Sequence, residues 1–301
     1  MNTIPADVPA HKKEEFQKNY TALTHNTNRL FIFSCDQKIE HLNADFYGPA
    51  IDSADNNPEH LFYVASHATI GGMATQLGLI AQYGKQYPYV NYIVKLNGKT
   101  DLIPKEYKDP VSNKLWTVDD VIAFKKETNL QIRGIGYTVY IGSEHESLML
   151  TQAAQAILKA HQHGLVGILW MYPRGKHVQQ ERSGEIIAGA AGVAATLGAD
   201  FAKVYPPEPT EDKTSEEWLA IAAEAAGKTK LICSGGSKIE SEAFLQQLYT
   251  QIHTGNSAGC AVGRNIHQRS SMQAIAFSNA IAAIVYDNAD VKQAMEIAQN
   301  C

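Results

Sequence analysis

Short runs of apolar residues recur along the chain at 30–35, 61–65, 91–95, 134–140, 165–171, 200–205, 229–234 and 257–263, each rich in Ile, Val, Phe, Tyr or Leu. Runs of this kind fit the strands of a parallel sheet buried on both faces. Between them the apolar positions fall at helical spacing: Met73, Leu77 and Ile80; Trp218, Ile221 and Ala225; Phe244, Leu248 and Ile252. Six of the seven intervals between successive run starts span 28–35 residues. Hairpins do not need that much chain, whereas crossover helices do. Eight strand-then-helix units predict an α/β fold, a (β/α)8 TIM barrel; an open doubly wound sheet is the alternative and usually has fewer units.

The third interval is longer, 43 residues, and places an insertion at about 97–128 that includes Pro104, Pro110 and a short helix around 118–126. It follows the C-terminal end of the third run, the side on which barrel enzymes do their chemistry. Residues 1–29 read as a helical segment closing the opposite end, and 291–299 as an extra outer helix. The pattern thus assigns 1–301 to a single barrel, although a prior of about 150 residues per domain would give two.

Composition narrows the function. No apolar run approaches the roughly 18 residues that span a bilayer, so no membrane segment is expected. The 26 basic and 31 acidic residues give a net charge of −5; with no basic stripe, nucleic acid is not an expected partner. The polar N-terminus, with Lys12, Lys13, Glu14 and Glu15, lacks the apolar centre of a signal peptide. Cys35, Cys233, Cys260 and Cys301 form no Cys-x-x-Cys pair and read as reduced thiols of a cytoplasmic protein.

In a barrel the residues at the C-terminal strand ends carry the chemistry. Here these are Asp36, His67, Lys95, Tyr140, Tyr172 with Pro173 and Arg174, Lys203, Gly235 with Gly236, and Gly263 with Arg264. A lysine inside an apolar strand, like Lys203, is costly to keep charged; desolvation lowers its pKa and favours the nucleophilic amine that forms imines. It could equally snorkel from a strand end. Tyr172 lies 31 residues earlier, one unit away, where a phenol can pass protons beside an imine. The glycines of Ser234-Gly235-Gly236-Ser237 and Gly263 with Arg264 fall in the loops after strands seven and eight, the common phosphate site of barrels. Asp36 either orients the lysine and substrate or caps its loop. Lys95 rivals Lys203 for the imine. Zinc held by His41, His67 and His177 is a remote alternative. There is no P-loop, His-Glu-x-x-His or Gly-x-Ser-x-Gly motif.

Residues 33–41 (FSCDQKIEH), 167–175 (GILWMYPRG), 198–204 (GADFAKV), 234–237 (SGGS) and 262–264 (VGR) resemble, in order, the archaeal-type (DhnA-type) class I fructose-bisphosphate aldolase family. The resemblance runs from about residue 30 to 264. It implies a barrel that works without metal or cofactor through an imine on Lys203, with Tyr172 transferring protons and Asp36 assisting imine formation. Gly235, Gly236, Gly263 and Arg264 would bind the phosphate next to the ketone, and Arg174 the distal phosphate. The implied substrate is a phosphorylated sugar, fructose 1,6-bisphosphate, made from or cleaved to dihydroxyacetone phosphate and glyceraldehyde 3-phosphate. The family tends to form rings, which implies a homo-oligomer. One departure stands out: the family commonly has Asp-His-Gly where this chain has Asp36-Gln37-Lys38. A transaldolase-like synthase or an LsrF-type thiolase would share the imine machinery, and a non-catalytic phosphosugar-binding protein would need only the glycine loops.

Overall fold

The computed structural model describes residues 4–40, 45–102 and 109–299. Eight parallel strands close into a barrel: β1 (Leu30–Ser34), β2 (Gly72–Gln76), β3 (Tyr92–Lys95), β4 (Ile132–Ile141), β5 (Val166–Pro173), β6 (Phe201–Val204), β7 (Lys230–Ser234) and β8 (Gly259–Val262), with β8 pairing back onto β1. Helices alternate with them on the outside, among them α1 (Lys13–Thr24), α2 (Glu59–His67), α3 (Leu77–Tyr83), α4 (Val118–Thr128) and α5 (Glu146–Gln162). No helix among the described residues is long and apolar enough to cross a membrane.

One expected strand is a helix. Residues 61–65 belong to α2, in which His60, Leu61, Val64 and Ala65 are buried at the three- and four-residue spacing of a helix face. His67 is therefore the last residue of a helix, exposed, rather than a strand end. The true second strand, Gly72-Met-Ala-Thr-Gln76, carries no run of branched residues, and its first position has no room for a side chain. A Cβ on Gly72 would stand 2.9 Å from Leu23 of α1 and 3.0 Å from Ile93 of β3. Met73 accordingly lies in β2, and the helix begins at Leu77. Of residues 97–128, Val118–Thr128 form α4, the regular crossover to β4, started by a capping box between Thr117 and Asp120. What is added over the barrel mouth is a small antiparallel hairpin, Asn97–Gly98 with Asn113–Lys114. Pro104 lies outside the described residues.

The barrel interior is layered. Ile32, Ala74, Ile93, Ile168, Phe201 and Ile232 fill the middle, and Phe16, Tyr20 and Leu23 of α1 plug the lower end. Tyr20 stacks on Phe201 at 5.6 Å between ring centroids. Beside this plug His161 of α5 is fully buried, with Nδ1 2.9 Å from Asp7 and Nε2 3.1 Å from Asp200, the residue that leads into β6. Burial alone would lower the histidine's pKa, but the carboxylates of Asp200 and Asp7 outweigh it and raise it to about 9.

His161 with Asp7 and Asp200 predicts a pH limit on the fold. A histidine raised from 6.5 to about 9 on folding stabilises fully below pH 6.5, and the contribution is lost as pH rises through 9. Urea unfolding at pH 6.5 and pH 10 should show a loss of about 3 kcal/mol that His161→Gln does not show. Equal pH dependence in the two proteins would contradict the assignment.

Candidate active site

The strands end in a cleft of about 930 Å3 at the C-terminal mouth. Asp36, Tyr172, Arg174, Lys203, Gly235, Gly236, Gly263 and Arg264 all line it, as do Glu40, Trp170, Tyr140, Tyr205 and Arg182. Lys95 does not; it lies beneath the floor, fully buried.

Lys203 is the third residue of β6 and only 6% exposed. Its Nζ donates to Ser34 Oγ at 3.2 Å and stands 5.4 Å from the centroid of the Trp170 ring and 5.9 Å from that of Tyr172. Burial lowers its pKa to about 8; Lys95 and Arg264 push the same way, while Asp36 and Glu40 oppose them. At pH 7 about a tenth is then the free amine, the form that attacks a carbonyl, far more than an exposed lysine offers.

Lys95, at the end of β3, is held differently. Its Nζ lies 3.5 Å from Asp36 Oδ2 and 3.6 Å from Glu40 Oε1, donates to Thr138 Oγ1, and faces the Trp170 ring at 4.4 Å. Set against two carboxylates, fully buried and absent from the cleft lining, Lys95 is poorly placed to meet a ketone. The two candidate lysines are thereby separated.

Tyr172 lies further toward the mouth than an equal-position reading implies. Trp170 is the residue paired with Lys203, and Tyr172 is one pleat beyond it on the same face. Burial pushes its phenol well above the ordinary value, and the neighbouring Tyr205 and Asp36 add to this, so Tyr172 is protonated at rest. Its ring stacks on Tyr205 at 4.4 Å, and the Tyr205 hydroxyl accepts from Arg174 Nη2 at 2.6 Å. Arg174 also lies 3.5 Å from Glu181.

The glycine loops meet across β7 and β8. Buried Asn265, which sequence reasoning passed over, staples them: its Nδ2 donates to the carbonyls of Gly235 (2.8 Å) and Ser237 (2.9 Å), and its Oδ1 accepts from Ile239 N (3.0 Å). The Gly235 N–H is committed to Ala261 O at 3.0 Å, so this glycine shapes the loop without offering its amide to a ligand. Gly263 must lack a side chain, because a Cβ there would stand 1.9 Å from Gln37 Nε2 and 2.9 Å from Ser34 O. Arg264 borders the cleft 3.9 Å from Asp45.

The Asp36-Gln37-Lys38 departure now has a physical account. Gln37 wedges against Gly263, and Lys38 turns to cap the Phe46 ring at 3.6 Å and to donate to Asp55 O at 3.0 Å. Phe46 in turn stacks on His267, whose Nδ1 lies 2.6 Å from Asp55 Oδ2. The loop after β1 is thus fastened to the segment that follows β8. Glu40, also unnoticed in the sequence, reaches the cleft from the short helical turn Gln37–Glu40. His41 lies outside the described residues. His67 and His177 are exposed, and among the described residues no three His, Cys, Asp or Glu side chains are grouped to hold a metal.

Comparison with known proteins places this geometry. The family model described as DeoC/LacD family aldolase matches residues 30–269. A fructose-bisphosphate aldolase/6-deoxy-5-ketofructose 1-phosphate synthase from Methanocaldococcus jannaschii is 49% identical over 294 residues, 98% of this chain and 93% of the relative. The solved structure of a fructose-bisphosphate aldolase from Slackia heliotrinireducens is 50% identical with a TM-score of 0.96, covering 98% of this chain and 93% of that one. An archaeal fructose-1,6-bisphosphate aldolase, solved with its catalytic lysine covalently bound to the carbinolamine intermediate, is 30% identical with a TM-score of 0.76 over 90% of this chain and 99% of that one. On its family match and on its kinship with these enzymes, the chain belongs to the DeoC/LacD aldolase family.

Proposed function

We propose that the chain, acting as one barrel, is a class I aldolase that cleaves and forms fructose 1,6-bisphosphate through an imine on Lys203, without a metal ion. The observation that carries this reading is a cleft-lining lysine with its pKa lowered to about 8, flanked by Tyr172 and Asp36. The neutral amine attacks the ketone carbon, and loss of water gives the iminium. As the C4 hydroxyl gives its proton to Asp36, which lines the cleft, the iminium draws in the electrons of the C3–C4 bond, releasing glyceraldehyde 3-phosphate and leaving an enamine. Tyr172, kept protonated by burial, is set to protonate the enamine carbon. Hydrolysis then frees dihydroxyacetone phosphate and Lys203. The phosphate beside the ketone fits the rim made by Gly236, Ser237, Gly263 and Arg264, with Gly235 shaping the turn. Arg174 and Arg182 border the distal end.

A second reading is favoured by the distal end itself. Arg174 stands against Glu181 and Lys99 against Asp101, so carboxylates already offset these cations. Such an end also suits an acceptor aldehyde without phosphate, as the 6-deoxy product in the name of the M. jannaschii relative requires.

Release of glyceraldehyde 3-phosphate from fructose 1,6-bisphosphate tests the first reading. Wild type should turn over with kcat/KM rising through about pH 8 and should be indifferent to chelators. Lys203→Ala should fall to background, and Tyr172→Phe should lose about 10²–10⁴-fold in kcat. Folded wild type without turnover, or a fully active Lys203→Ala, would contradict it. Comparing cleavage of 6-deoxy-5-ketofructose 1-phosphate with that of fructose 1,6-bisphosphate tests the second: kcat/KM values within about tenfold, a difference of roughly 1.4 kcal/mol, are expected. Activity on the bisphosphate alone would remove it.

A further inference from the structure

The apolar run of β1 ends on a serine, Leu30-Phe-Ile-Phe-Ser34. Alternation along the strand places Ser34 on the same face as Leu30 and Ile32, which fill the barrel interior, while Phe31 and Phe33 pack outward beneath the helices. On β6 the same alternation sends Phe201 and Lys203 inward. Ser34 is fully buried and absent from the cleft lining, whereas Lys203 lines the cleft. The hydrogen bond from Lys203 Nζ to Ser34 Oγ, 3.2 Å long, therefore spans the closed interior and meets the amine on the side away from the cleft. A hydroxyl shut off from water costs free energy unless it is bonded, and its partner here is the amine itself. Trp170 and Tyr172 stand beside Nζ with ring centroids at 5.4 and 5.9 Å. Their faces attract an ammonium without fixing the direction of any one N–H.

We propose that Ser34 is a positioning residue, holding one N–H of Lys203 from behind so that the nitrogen lone pair, and later the plane of the imine, is presented to the cleft. This assignment rests on the imine reading above. An ammonium carries three protons and a neutral amine two, so Ser34 has an N–H to accept from either form. When the amine adds to the ketone, the nitrogen–carbon bond forms, one proton passes from nitrogen to the carbonyl oxygen, and the other stays on nitrogen. The carbinolamine hydroxyl then takes up a proton and leaves as water, and the nitrogen lone pair closes the carbon–nitrogen double bond. The iminium that results still carries the N–H that Ser34 holds. Cε and this N–H together fix the plane in which the ketone carbon and its two substituents lie, and the carbon–carbon bond that breaks must stand across that plane. The other groups that act on the charge of Lys203 are Asp36 and Glu40 after β1, Lys95 on β3, Tyr172 on β5, Cys260 on β8 and Arg264 after it. All of them remain when Ser34 is changed, so a shift in titration then reports the hydroxyl.

The test is kcat and kcat/KM for cleavage of fructose 1,6-bisphosphate from pH 6 to pH 10 in wild type, Ser34→Ala and Ser34→Thr, with melting temperatures alongside. Ser34→Ala removes an acceptor that favours the charged amine, so the acid limb of kcat/KM, near pH 8 in wild type, should move about one unit lower. Above the limb, where the amine is neutral in both proteins, kcat should fall about tenfold with KM little changed, because what is lost is orientation. Ser34→Thr keeps the hydroxyl and should restore both. A packing defect would lower kcat without moving the limb, so a limb that stays at the wild-type pH in Ser34→Ala would overturn the proposal. So would a folded Ser34→Thr that behaves like Ser34→Ala. If the threonine variant does not fold, the limb of Ser34→Ala decides alone. Folded wild type without turnover would instead overturn the imine reading on which the proposal stands.

Discussion

Burial of an amine at the mouth of an apolar barrel is the constraint around which this structure is arranged. The barrel places two lysines there and treats them in opposite ways. Lys95 receives the carboxylates of Asp36 and Glu40, a threonine hydroxyl and an indole face, and is sealed beneath the cleft. Lys203 receives a serine hydroxyl and two aromatic faces, and stays open to the cleft. Water is removed from both, but only one has a compensating charge in direct contact. Lys203, desolvated without a carboxylate in direct contact, gives up its proton more readily, and burial lowers its pKa to about 8.

The rest of the fold serves that difference. The parallel register sets Trp170 beside Lys203 and Tyr172 one pleat above, so the indole forms the wall and the phenol lies further out where substrate carbons would pass. On the far side, Asn265 ties the loops after β7 and β8, and the Phe46–His267 stack holds the loop after β1 against the segment following β8. The helix plug beneath, with His161 between Asp7 and Asp200, closes the barrel's other end and anchors the start of the strand that carries Lys203. Chemistry at the mouth and stability at the base are thus joined through β6.

Much of this was legible in the sequence, for identifiable reasons. The strands beginning at Leu30, Tyr92, Ile132, Val166, Phe201, Lys230 and Gly259 stand out because strands buried on both faces are apolar throughout. The strand Gly72–Gln76 did not stand out, since it lacks branched residues and crowding by Leu23 and Ile93 holds its first position to glycine, and the more apolar 61–65 took its place although it is a helix face. That Lys203, Tyr172, Asp36 and Arg264 would meet at the barrel mouth was legible because polar residues at apolar strand ends are conspicuous. Glu40 and Asn265 were not: each is an ordinary polar residue in a loop or short turn, and only the closed barrel brings it to its partners. The choice between Lys95 and Lys203 was likewise invisible, because it depends on which of them the carboxylates reach.

The central claim is that Lys203, and not Lys95, is the amine that meets the ketone. Borohydride reduction in the presence of dihydroxyacetone phosphate, followed by peptide mass mapping, tests it directly. The account predicts one adduct per chain, on the peptide containing Lys203. An adduct on Lys95, or none on a folded protein, would contradict it.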